Sequence, residues 1–207
     1  MKKPIFFAVI DDHTIFLRGL EELISQKFKN SNINCFDSIS EFKKRKSIFP
    51  EIDLLICDIE LPSEDVFTFF NELRESYPNI PILVISMHKK LSIIKKCKDF
   101  QIEGYLLKDD DDYLTEAINS ILKGQQFYSP RIVRFYSKYS NQLNNISDRE
   151  EEIILLMVKG FSNLEISDHL SVGLETVKTH KRNIRTKLGM HELSDIISYA
   201  KQNFLVK

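Results

Sequence analysis

Leu54-Leu55-Ile56-Cys57-Asp58 is a run of four apolar residues that stops at a carboxylate. A strand covered on both faces shows a continuous apolar run instead of an alternating one, so the stretch reads as a buried strand of a parallel sheet. An Asp at its carboxyl end stands where open α/β sheets place their ligand crevice. Strand-end aspartates more often cap the following helix, and the rest of the chain decides between the two roles.

Working outward, the same reading recurs. Residues 5 to 10 (IFFAVI) form a second buried run that ends at Asp11, Asp12 and His13, residues 82 to 85 end at Ser86, and residues 105 to 107 end at Lys108. Residues 33 to 36 make a shorter strand. Helical spacing joins Ile15, Phe16, Leu20, Leu23, Ile24 and Phe28 in the first of five intervening helices. The others fall over 40–46, 65–76, 91–100 and 113–122, the last stopping at Gly124. Five strands alternating with five helices predict a doubly wound, five-stranded parallel sheet. Its carboxyl edge then carries Asp11, Asp12, Asp58, Ser86 and Lys108 together, which capping alone does not explain.

Those side chains suit phosphoryl transfer. Asp11, Asp12 and Asp58 make a hard oxygen cluster of the kind that holds Mg²⁺. Asp58 can act as a carboxylate nucleophile, Lys108 can neutralise a phosphoryl oxygen, and the Ser86 hydroxyl can donate to another.

Composition sets the bounds. At 207 residues, 43% hydrophobic and 29% charged, the chain fits two modest soluble domains. Residues 1–124 carry a net charge of −4 and residues 125–207 one of +3, which makes the second part the better candidate for an anionic partner. The apolar run after Lys3 is too short for a signal peptide and no run reaches membrane-spanning length, so a cytoplasmic protein without a membrane partner is expected. Cys35, Cys57 and Cys97 lack metal-ligand spacing and read as reduced core thiols. No glycine-rich nucleotide motif supports kinase activity.

VIDDH at 9–13, CDIELP at 57–62, VISM at 84–87 and GYLLKD at 104–109 together resemble the receiver domain of two-component response regulators, over residues 4 to 124. The resemblance implies a flavodoxin-like fold in which Asp58 accepts phosphate from a sensor histidine kinase. It implies Mg²⁺ held by Asp11, Asp12, Asp58 and the Glu60 backbone carbonyl, and a switch in which Ser86 and Tyr105 move with the phosphoryl group. Read from the residues alone, Tyr105 is equally a core aromatic. Two positions depart from the pattern. Val66 stands where a glycine is usual, a place where positive φ would strain a β-branched residue. Met87 is bulky enough to narrow access to Asp58. The acidic run Asp109–Asp112 reads as a solvated turn.

Residues 125–146 are expected to be a linker, with Pro130, serines and asparagines and no sustained periodicity. Arg131, Ile132, Phe135 and Tyr136 allow one helical turn within it. Ser147 and Glu150 then form a capping box that opens an all-helical domain over 147–207. Helices over 163–170 and 174–188, joined by a turn containing Gly173, make a helix-turn-helix candidate. The later helix is cationic, with Val177, Ile184 and Leu188 on its inward face, as a major-groove reader requires. SDREEEIILLMVKG, NLEISDHL and TVKTHKRNIRTKLG resemble the LuxR-type helix-turn-helix, and with a receiver before it the whole resembles the NarL/FixJ group. That resemblance places Lys178, Thr179 and Arg182 toward bases, Lys181, His180, Arg185 and Lys187 near phosphates or in structural roles, and a dimer contact at 195–199.

The leading expectation is a response regulator that takes a phosphoryl group on Asp58, dimerises, and in response binds double-stranded DNA. One alternative keeps DNA binding but makes the first domain a dimerisation or ligand-sensing module independent of phosphorylation. A phosphatase is disfavoured, because Asp58-Ile59-Glu60 lacks the second Asp that haloacid-dehalogenase-like enzymes use two residues on.

Overall fold

The computed structural model describes residues 3–87, 89–143, 146–190 and 192–203. The chain divides into two compact units, Met1–His88 with Cys97–Ile132, and Lys89–Lys96 with Val133–Lys207.

In the first unit a parallel sheet is built from β1 (Ile5–Ile10), β2 (Ser31–Phe36), β3 (Leu54–Asp58), β4 (Ile82–Ser86), β5 (Gly104–Leu107) and a short β6 (Phe127–Tyr128). Their order is β2-β1-β3-β4-β5-β6. Every residue of β3, β4 and β5 is buried, as the unbroken apolar runs require. The sheet has one strand more than the five expected. β6 pairs with β5 through Gly104↔Phe127 and Tyr105↔Tyr128, inside the segment read as linker.

The helices of this unit are α1 (Thr14–Lys27), α2 (Ile39–Lys44), α3 (Val66–Ser76), α4 (Leu91–Asp99) and α5 (Leu114–Ile121); α4 begins in the second unit and ends in the first. Alternate strand residues Phe7, Val9, Leu54, Ile56, Leu83, Ile85 and Leu106 form one core with α1 and α5. An aromatic cluster around Phe42, whose ring stacks on Phe49 at 4.4 Å and meets Phe69 edge-on at 5.6 Å, fills the space at α2 and α3. Within α1 the buried positions are Leu17, Leu20 and Ile24, whereas Ile15, expected to face inward, is 89% exposed.

The segment 125–146 is more ordered than a linker. After β6 it forms α6 (Pro130–Leu143), and residues 144 and 145 lie outside the described residues. Pro130 opens the helix because the first helical position needs no N–H donor and suits its fixed φ. The second unit continues with α7 (Asp148–Val158), α8 (Asn163–His169), α9 (Leu174–Leu188) and α10 (Leu193–Asn203). Capping boxes start α7 at Ser147 with Glu150 and α8 at Ser162 with Glu165. Ile153, Ile154, Met157, Ile166, Val177, Ile184, Ile196 and Ala200 share its core.

Candidate functional site

The carboxyl ends of β1, β3 and β5 bring Asp11, Asp58 and Lys108 into contact. Asp11 is 1% and Asp58 2% exposed. Two carboxylates at that depth require a cation, and Lys108 supplies it, with Nζ 2.6 Å from Asp11 Oδ2 and 2.8 Å from Asp58 Oδ2. The ammonium also lies 4.6 Å from the centroid of the Phe16 ring on α1. Burial lifts the Asp11 carboxyl above its ordinary range and the Asp58 charge adds to it; hydrogen bonds from Lys108 and the His13 N–H, with the Lys108 charge, offset only part. For Lys108 burial pulls the other way, but hydrogen bonds to Asp11 and Asp58 and their charges outweigh it and hold the ammonium above the usual lysine value.

Asp58 Oδ1 accepts from the Glu60 N–H at 3.0 Å, so the loop after β3 is turned toward the acid. The capping role considered for Asp58 goes to other residues. Asp65 caps α3 by accepting from Phe67 N and Thr68 N at 3.1 Å each. Glu64 accepts from Ile39 N at 2.8 Å and Ser40 N at 3.0 Å at the start of α2. The strain expected at Val66 does not arise: Val66 is the first helical residue of α3, and the positive φ of this loop, +60°, falls on Ser63. Met87 is 60% exposed and turned to solvent, which removes the expected narrowing around Asp58.

Asp11, Asp12, His13 and Asp58 each offer one ligand atom within 4.8 Å of the others. Asp12 Oδ1 is buried without a hydrogen bond, although His13 Nδ1 is 3.0 Å from it. A buried oxygen that accepts no hydrogen bond, beside two further carboxylates, fits a hard divalent cation such as Mg²⁺. His13 is the N-cap residue of α1, yet its side chain caps nothing, and its Nδ1 lies 3.2 Å from Asp11 Oδ1. Its sequence position beside the acid pair is the one signal that could have found it.

Ser86, at the end of β4, is fully buried, as is Tyr105. The two share a side-chain hydrogen bond, and burial holds the Tyr105 phenol well above its ordinary range. A groove of about 490 Å³ beside Lys108 is lined by Ile15, Phe16, Leu20, Leu107, Asp109 and Leu114.

The acidic turn is not wholly solvated. Asp110 is 4% exposed, because Ser129 Oγ donates to its Oδ2 at 2.6 Å and Arg131 to its Oδ1 at 3.0 Å. A run of four Asp residues gives no sign of which one turns inward.

In the second unit α9 buries Val177 and Ile184 and leaves Lys178, Thr179, Arg182 and Arg185 exposed. Lys178, Arg182 and Arg185 follow each other at four and three residues and so share a stripe. Lys178 pairs with Glu175 at 2.6 Å on the same helix, a solvent-screened contact that an anion can displace. Lys181 is half-buried and donates to Asn163 Oδ1 at 2.7 Å, tying α9 to α8. Lys187 reaches the buried Glu150 at 2.7 Å and is structural. Gly173, the N-cap of α9, has φ −66° and needs no glycine.

Residues 7–127 match the response regulator receiver domain, and residues 144–200 match the luxR family of bacterial regulatory proteins. The chain is 28% identical over 207 residues to the Fimbriae Z protein of Escherichia coli strain K12, covering 96% of this chain and 97% of that one. It is 27% identical over 215 residues to the oxygen regulatory protein NreC of Staphylococcus aureus strain bovine RF122, covering 97% and 98%. Among solved structures it is similar to RcsB of Salmonella enterica serovar Typhimurium bound to promoter rprA in the presence of phosphomimetic BeF3−, with a TM-score of 0.68, 23% identity and coverage of 96% and 98%. At that identity the likeness is one of fold.

Proposed function

The chain belongs to the response regulators, with the receiver and LuxR-type pairing of the NarL/FixJ group, and on that premise we propose that Asp58 is the phosphoacceptor through which a sensor histidine kinase controls DNA binding by α9. The observation that carries this reading is the Lys108 ammonium held between the buried Asp11 and Asp58 carboxylates. We assign the receiver to 1–124 and the DNA-binding domain to 147–207.

The Asp58 carboxylate attacks the phosphorus of the kinase's phosphohistidine. An O–P bond forms as the N–P bond breaks, and the imidazole leaves with the electron pair and takes a proton from water. Mg²⁺, when bound by Asp11, Asp12, Asp58 and the Glu60 carbonyl, supplies charge neutralisation for the incoming phosphoryl oxygens. Lys108, already 2.8 Å from the acceptor, keeps a salt bridge by passing from the carboxylate to a phosphoryl oxygen. Ser86 donates its one hydroxyl proton to another phosphoryl oxygen while still accepting from the Tyr105 phenol. Tyr105 thereby follows Ser86. The protein takes up phosphate on itself without turning over a substrate. The exposed Ile15 and the groove beside Lys108 are where we place an apolar contact with the kinase.

On the DNA side, Lys178, Thr179 and Arg182 are assigned to base edges, Arg185 and Lys181 to phosphates, and α10 to the contact of a phosphorylated homodimer. No helix among the described residues is long and apolar enough to cross a membrane. Three free cysteines suit the reducing cytoplasm, where we place the protein. Phosphate uptake from acetyl phosphate, read as a mobility shift on a phosphate-affinity gel, tests the reading. The shift is expected in the wild type and absent in Asp58→Asn, and an equal shift in both would overturn it.

A further inference from the structure

Without β6, Tyr105 would stand on the edge strand of the sheet. With it, Tyr105 is an interior residue. The Tyr128 ring lies opposite in register and nearly parallel, with centroids 6.4 Å apart and planes at 16°. Tyr128 is itself fixed, since its hydroxyl donates to the Ile102 carbonyl at 3.0 Å and Lys98 Nζ sits 4.3 Å from its ring centroid. The backbone on either side is tied by Phe127 N to Glu103 O at 2.8 Å and Ser129 N to Tyr105 O at 3.0 Å. This approach needs Gly104, where a Cβ would stand 3.0 Å from the Phe127 carbonyl and 2.6 Å from Ile121 Cδ1.

A second tie holds the same segment from the other side of the site. Asp110, two residues past Lys108, accepts from the Leu107 N–H at 3.3 Å as well as from Ser129 and Arg131. The stretch Tyr128 to Arg131 is therefore tied on one side to Tyr105, which shares a hydrogen bond with Ser86, and on the other to Asp110, two residues past Lys108. It leads directly into α6, which starts at Pro130. A two-residue strand has too few ladder bonds to be stable by itself, so these side-chain ties decide whether it stays docked.

We infer that Tyr128 is a positioning residue that holds Tyr105 inward, and that β6 is a strap whose docking reports the phosphorylation state of Asp58 to the start of α6. The inference rests on the reading of Asp58 as phosphoacceptor. Movement of Ser86 toward a phosphoryl group draws Tyr105 with it and changes the surface on which Tyr128 lies. Docking of the strap and the inward pose of Tyr105 are then two ends of one equilibrium.

Hydrogen exchange of the full chain, with and without beryllofluoride and Mg²⁺, separates the two claims. Beryllofluoride is expected to change protection both around Asp58 and Ser86 and in the strap, residues 125–132. A change around Asp58 with none in the strap overturns this inference and leaves the phosphoacceptor reading standing. No change at either place overturns both. Tyr128→Ala is expected to keep phosphate uptake but to lose about 5-fold or more of the coupling between beryllofluoride and DNA affinity. Tyr128→Phe, which keeps the ring, is expected to restore it. Undiminished coupling in Tyr128→Ala, or a parallel loss of uptake and coupling that Tyr128→Phe does not rescue, overturns the positioning role. If Tyr128→Ala does not fold, Arg131→Ala takes its place, with the same losses expected and undiminished coupling again overturning the strap.

Discussion

Lys108 Nζ lies 2.8 Å from Asp58 Oδ2 while also bonding Asp11, so the receiver's one buried ammonium in this cluster answers two buried carboxylates. Any change in charge at Asp58 must therefore move Lys108, Asp11 or both.

Replacing Lys108 with Met keeps the aliphatic stem and removes that ammonium. Asp11 and Asp58 then face each other uncompensated, and a loss of about 3 kcal/mol or more in stability without divalent metal is expected. Urea unfolding with and without Mg²⁺ checks it; the loss should shrink when Mg²⁺ is present, and a variant as stable as the wild type in both conditions contradicts the account.

Asp11 makes a pH prediction of definite sign. Its carboxyl is raised in the folded state, so the folded chain holds a proton that the unfolded chain has given up, and stability falls as pH rises from the unfolded value near 3.8 through the folded one. Asp11→Asn removes this loss. Its melting temperature without Mg²⁺ is expected to exceed the wild type's at pH 7 and to converge with it toward pH 3; a lower melting temperature at pH 7 would refute the assignment.

Glu150 carries the opposite sign. Burial alone would raise it, but hydrogen bonds from Lys187 and from Ser147 N and Oγ and the Lys187 charge outweigh that and hold the carboxyl below its ordinary value. Its contribution is present above the unfolded value of 4.5 and is lost as pH falls through the folded one. Glu150→Gln should cost roughly 1–3 kcal/mol at pH 7 and nothing once the wild-type acid is protonated, as thermal melts at pH 7 and below pH 4 will show.

The α9 cations divide by their partners. Arg185→Ala, which removes an exposed charge, should reduce the salt slope of DNA binding by about one phosphate's worth and leave stability within about 0.5 kcal/mol. Lys187→Ala should do the reverse, leaving the salt slope and destabilising the domain through Glu150. Titrations across a salt series distinguish them, and equal slopes for Arg185→Ala and the wild type would remove Arg185 from the interface.

The grouping of Asp11, Asp58, Ser86 and Lys108 at one sheet edge was legible in the chain because each ends an apolar run, and a buried parallel strand writes its end into the sequence as a change from apolar to polar. β6 was not legible. Phe127–Tyr128 is too short to show a period, and its pairing depends on the missing side chain of Gly104, which is distant in sequence. Asp110 was misplaced for a related reason, since only Ser129 and Arg131 mark it as the buried member of its run. α6 was hidden by Pro130, which with the serines and asparagines marks a linker by composition but as a first helical residue favours the helix. Ile15 kept the helical spacing but faces outward, a reminder that one face of α1 is apolar on the solvent side as well.

The most direct measurement is the DNA affinity of the full chain, by fluorescence anisotropy at fixed salt, with and without beryllofluoride and Mg²⁺, for the wild type and Asp58→Asn. The account predicts that beryllofluoride tightens wild-type binding by about 5-fold or more and leaves Asp58→Asn unchanged. An equal response in both proteins, or none in the wild type, would contradict it.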